Sequence, residues 1–157
     1  MRPGGRQAMR IALAALAVFC ATAGAARAQV LVIPERDLAF GLLTPGSPTT
    51  VAPADVIRSA QLRVEGRGTF QVSFQLPSSL TSVTGQQIPL VFGAAAATVT
   101  IRRRVTAFDP VMTTSFRLTP GNDEAVINLG GEALPSPGQT AGSYTATIVV
   151  MIIQTGT

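Results

Sequence analysis

The chain has 157 residues, with twelve Lys and Arg against eight Asp and Glu, a single Cys and neither His nor Trp. Without His there is no Ser-His or Cys-His nucleophile, without Lys no Schiff base, and with one Cys no ordinary zinc site. The pI near 11.0 would favour nucleic acid, but four of the twelve basic residues (Arg2, Arg6, Arg10 and Arg27) lie within the first 28 residues.

Those 28 residues read as a secretory signal peptide. Arg2, Arg6 and Arg10 form a positive start, "IALAALAVFCATAGAA" is an apolar core, and Ala26-Arg27-Ala28 offers small residues for cleavage. A helical anchor needs about 20 apolar residues. This stretch is shorter and ends in a processing site, so no stable membrane span is expected after cleavage. Phe19 stands where a lipoprotein signal wants a small residue, which argues against lipidation of Cys20. The mature chain is then expected to run over residues 29–157 as one domain. It is formally neutral, with eight Arg against eight acids and no Lys, His or Cys, so it gives no reason to expect nucleic acid as a partner. Its stability must come from packing, because no disulfide can form.

Beyond the leader, period-two segments dominate. Residues 30–33 and 37–41 read as short strands. "SAQLRVE" alternates Ala60, Leu62 and Val64 against Ser59, Gln61, Arg63 and Glu65. After a turn at residues 66–68, "TFQVSFQL" turns Phe70, Val72, Phe74 and Leu76 one way and Thr69, Gln71, Ser73 and Gln75 the other, as in a sandwich strand. "SSLTSVTGQQ" from Ser78 reads as loop, and residues 94–96 as the approach to a strand over 97–101. Further strands are expected at 88–92, 115–119, 126–134 and 143–153, between stretches rich in Pro, Gly, Ser and Thr. No window has helical periodicity. About eight short strands at this spacing predict an all-β, immunoglobulin-like β-sandwich. An outer-membrane barrel would want aromatic girdles, and this chain has one Tyr and no Trp.

The end of the last strand, "TATIVVMIIQTGT", is apolar on both faces. Ile148, Val150 and Ile152 are expected to face the core. Val149, Met151 and Ile153 then form a second apolar face that needs a cover. A second subunit is the favoured cover, which makes these three residues a candidate interface. A crossing loop or residues 30–33 of the same chain is the other option.

Four segments together resemble a family of secreted bacterial domains of unknown function, similar to spore-coat-U and fimbrial-subunit proteins. They are "DLAFGLLTPGSPTTVAP" (37–53), "GTFQVSFQLPSS" (68–79), and the two halves of the closing hairpin, "INLGGEALPSPGQ" and "QTAGSYTATIVVMI". The resemblance covers nearly the whole mature chain. It implies an immunoglobulin-like sandwich exported to the periplasm, cell surface or medium, perhaps in a pilus-like assembly, and it implies no active site. Only "QVLVI" precedes Pro34, shorter than the extension by which fimbrial subunits donate a strand.

The remaining constellations are weighed against ordinary surface roles. Glu35 with Asp37, or Asp123 with Glu124, could serve acid-base chemistry, but both pairs lie in polar segments at strand ends. "PGNDE" (120–124) lacks the ligand spacing of a calcium loop. No catalytic, cofactor or metal residues are therefore assigned. Arg58, Arg63 and Arg67 with Glu65 read as a wet face, and Gly130-Gly131 as a bulge or close backbone approach. "IRRR" (101–104) is the one charge run. Strict alternation would turn Arg103 inwards with Val99 and Ile101, so the strand is expected to end or bulge after Ile101. Arg102, Arg103 and Arg104 are a candidate ligand contact for phosphate or acidic glycan, or a protective charged edge. The expected function is an exported, non-enzymatic structural or surface subunit. The alternative is an envelope binding module for a glycan or protein partner, using those arginines.

Overall fold

The computed structural model describes residues 16–20 by their backbone, and residues 30–156. It contains fourteen strands and, among the described residues, no helix. In chain order these are β1 (Leu16–Cys20), β2 (Leu31–Arg36), β3 (Thr49–Val51), β4 (Ala60–Glu65), β5 (Gly68–Gln75), β6 (Ser79–Ser82), β7 (Gln87–Val91), β8 (Ala97–Ile101), β9 (Arg104–Phe108), β10 (Thr114–Leu118), β11 (Glu124–Leu129), β12 (Gly131–Ala133), β13 (Tyr144–Thr145) and β14 (Ile148–Gly156).

The expected all-β sandwich is present, built from more and shorter strands than the eight anticipated. One sheet runs β1-β14-β5-β10, and the facing sheet runs β2-β4-β11-β8-β9. A smaller third sheet runs β13-β6-β7-β12-β3. The first two follow the immunoglobulin plan, in which strands A-B-E-D face G-F-C: β2-β4-β11-β8 oppose β14-β5, and β1 stands where the last strand of the plan belongs.

Alternation decides what each strand buries. Ala60, Leu62 and Val64 of β4 and Phe70 and Val72 of β5 are buried as predicted, with Ile148, Val150 and Ile152 of β14. The sheets meet where Phe74 stacks on Phe108 with ring centroids 6.2 Å apart. Between Ala60, Leu62, Phe74, Ile127, Leu129 and Val150 only about 10 Å³ stays empty, no more than one water would need. Full burial of a Leu, Ile or Val side chain such as Leu62, Ile127 or Val150 stabilises by about 1.5–3 kcal/mol.

Several expectations are corrected. Residues 37–41 form no strand. Leu38 and Phe40 are nonetheless buried, held by an irregular segment whose Ala39 N–H donates to the Arg58 carbonyl at 2.8 Å. The loop expected from Ser78 contains β6, paired with β7. The strand over 126–134 is broken at Gly130, where a Cβ would meet the Val51 carbonyl oxygen at 2.1 Å, a close backbone approach of the kind read from the sequence. The strand over 143–153 is broken between Thr145 and Ile148.

The segment read as a leader supplies one strand of the first sheet. β1 pairs in parallel with β14, from Leu16 opposite Ile148 to Cys20 opposite Ile152. An apolar segment offered to an open sheet edge satisfies that edge's backbone groups. The cleavage motif at 26–28 lies outside the described residues.

Candidate functional site

Two features on opposite sides of the sandwich stand out. The first is β14. It pairs antiparallel with β5 from Val149 opposite Gln75 to Gly156 opposite Thr69, with an irregularity between Gln154 and Gly156. Its other edge pairs, among the described residues, only with β1.

Tyr144 sets the approach to this strand. Its ring is fully buried. Its hydroxyl donates to the Thr140 carbonyl at 2.7 Å and accepts from Gln139 Nε2 at 2.7 Å. A tyrosine bonded back to backbone four residues upstream is the tyrosine corner that precedes strand F in immunoglobulin-like sandwiches. The corner marks β14 as the next-to-last strand of the plan.

The outer face of β14 carries the three predicted interface residues. Val149 is half-buried, while Met151 and Ile153 are 36% and 43% exposed. Opposite them on β5 stand Gln75, Ser73 and Gln71, so the apolar stripe is confined to β14. Residues 31–33 cannot be its cover, because β2 pairs with β4 in the other sheet.

The second feature is a cleft of about 670 Å³ where the edge strands β9 and β10 approach each other, lined by Ile101, Phe116 and the guanidinium-bearing Arg102, Arg103, Arg104 and Arg117. β8 ends at Ile101 and turns directly into β9, with Ile101 opposite Arg104. The expected strand end is thus a two-residue hairpin turn made of Arg102 and Arg103. Arg102 takes φ 58°, at the first central position of the turn, where Gly is favoured. Its side chain donates to the Gly121 carbonyl at 3.4 Å. Sequence reasoning found the run but missed Arg117, which stands on β10 in the other sheet, and Asn122, from the turn in which Thr119 and Asn122 exchange backbone bonds.

The other candidates are otherwise engaged. Glu35 bonds Arg63, which also lies 3.8 Å from Glu65 and 3.7 Å from Glu124. The hydrogen bond that Arg63 donates to Glu35, with the charges of all three acids, raises the Arg63 pKa. Glu35 and Glu124, drawn from two different predicted pairs, thus meet at one arginine rather than at their sequence neighbours. Asp55 accepts from the Ile57 and Arg58 N–H groups at 3.0 and 2.9 Å and from Arg58 Nε at 2.8 Å. The bond from the Arg58 N–H, then that from Ile57, holds its carboxyl below the usual range. Among the described residues, no three His, Cys, Asp or Glu converge as a metal set. Compared with known proteins, the chain matches no family model and no curated protein.

Proposed function

We propose that this protein is an exported, non-enzymatic structural subunit whose sandwich is completed by a strand from a second chain laid along the free edge of β14. One observation carries the reading: the lateral partner of β14 is β1, which lies in the segment read as a cleaved leader. Once the leader is gone, the nine-residue strand from Ile148 to Gly156 keeps its pairing to β5 from Val149 onward and offers a row of unpaired backbone groups on the other edge. Strand addition at such an edge gives affinity through main-chain bonds and specificity through alternate side chains. The occupant that β1 imitates is extended, apolar and parallel to β14. The exposed Met151 and Ile153 extend the contact onto the outer face.

The test uses the processed protein, freed of its leader, and a synthetic peptide spanning residues 14–22 with Cys20 replaced by Ala. The processed protein is expected to self-associate in solution, and the peptide to return it to a monomer while raising its thermal midpoint. A monomer whose midpoint ignores the peptide, and whose β14 amides resist exchange without it, overturns the reading.

A further inference from the structure

Half of the eight arginines of residues 29–157 line the cleft between β9 and β10. The others are engaged or elsewhere: Arg58 pairs with Asp55, Arg63 with Glu35, and Arg36 donates to the Ser59 and Val56 carbonyls, both at 2.6 Å. Among the described residues no carboxylate pairs with Arg102, Arg103, Arg104 or Arg117. Four like charges round one cleft repel one another, and each guanidinium has donor forks left for an anion. The hairpin also holds Arg102 at a positive φ that Gly would adopt without strain. A protective charged edge would need neither this turn nor Arg117 from the other sheet.

The rest of the lining narrows the ligand. Thr106, Thr114, Ser115 and Asn122 line the cleft together with the apolar Ile101 and Phe116. A volume of about 670 Å³ falls within the usual range of ligand pockets, about 300–1,000 Å³. Neutral hydroxyl- and amide-bearing residues suit a hydroxyl-rich ligand, and four cations drawn from two strands and a turn suit more than one anionic group. Single-stranded nucleic acid would instead call for exposed aromatic platforms, and Phe116 is buried.

We propose that this cleft binds an acidic polysaccharide, whose anionic groups are held by Arg102, Arg103, Arg104 and Arg117. The site lies away from β14 and stands or falls independently of strand completion.

Fluorescence anisotropy on the exported protein tests it with three probes: a labelled oligogalacturonate carrying carboxylates, a phosphomannan fragment carrying phosphates, and a neutral maltooligosaccharide. Binding of either acidic probe but not the neutral one is expected, and the probe that binds identifies the anion. The double variant Arg103→Gln/Arg104→Gln should weaken binding about tenfold or more, since hydrogen bonds to charged groups contribute most when both partners are ionised. Arg117→Gln, on a different strand and sheet, should weaken it several-fold, so a folding failure of the hairpin variant leaves the test intact. Arg67→Gln, outside the cleft, should change affinity less than about twofold. Failure of both acidic probes, equal binding of the neutral one, or an Arg67 variant as impaired as the cleft variants overturns the proposal.

Discussion

Replacing Tyr144 by Phe isolates the tyrosine corner, because the ring keeps its buried place and only the hydroxyl is lost. That hydroxyl donates to the Thr140 carbonyl at 2.7 Å, accepts from Gln139 Nε2 at 2.7 Å and lies 3.2 Å from Thr140 Oγ1. Two short bonds disappear, each with a net value of about 0.5–1.5 kcal/mol, and any partner left dry adds its desolvation penalty. The expected loss is about 1–3 kcal/mol. Urea unfolding of the processed protein at pH 7 measures it as a lowered midpoint at constant slope. Gln139→Ala should cost less. The double variant should fall short of the sum of the two by about 0.5 kcal/mol or more, since residues sharing a bond are coupled. A Tyr144→Phe midpoint equal to that of the parent would refute the corner as a brace for β14.

Gly130→Ala should destabilise by about 3 kcal/mol or more, because its Cβ meets backbone rather than a movable side chain. Gly93→Ala, with open space and no positive φ, should be neutral or stabilise by up to about 1 kcal/mol; thermal melts of the pair decide. Phe70→Ala should cost about 3–5 kcal/mol and the half-buried Phe74→Ala about 2–3 kcal/mol, with little change for Ser73→Ala, read by denaturant midpoint. Val149→Thr with Met151→Thr should abolish association while the fold persists; a protein monomeric before and after, with a lowered midpoint, would assign that face to the chain itself. Stability should be flat from about pH 6 to 9, where the processed chain titrates only its amino terminus. Asp55 has its carboxyl pKa lowered by folding, so its contribution is complete above the unfolded value of about 3.9 and is lost as pH falls through the lower folded value. Asp55→Asn should therefore shallow the acid limb of midpoint against pH, and an unchanged limb would contradict the geometry.

Strands that bury one face by regular alternation, such as β4, β5 and β8, were legible because each apolar side chain meets the facing sheet. β6 and β9 were not. Leu80 is the one apolar residue of β6, and four of the five residues of β9 are exposed, so backbone pairing to neighbouring strands rather than burial forms them. The alternation at residues 37–41 is real but serves an irregular segment, since burying Leu38 and Phe40 does not require a ladder partner. The arginine run was visible, whereas Arg117 joins it only through the turn from β9 into the other sheet. The acceptor edge was hidden for a related reason. A sequence displays which faces a strand buries but not which of its edges lacks a neighbour.

The edges of the two large sheets differ in a way that bears on assembly. Natural edges are blunted by charge, brevity or twist. β9 follows that rule, beginning at an arginine hairpin, and β10 carries Arg117 beside Ser115. β14 does not: residues 145–157 contain no charged side chain, and Ile148 to Ile153 are apolar without interruption. Nine residues of such a strand left as a permanent edge would be an aggregation hazard. β14 has the composition of an interior strand, apolar on both faces and tied to β5 along nearly its full length. Under the proposed function, in which the leader is removed, it holds an edge position instead. The mismatch between composition and position disappears when another strand lies beside it, as β1 does here, and this is the place that the proposed partner strand would fill.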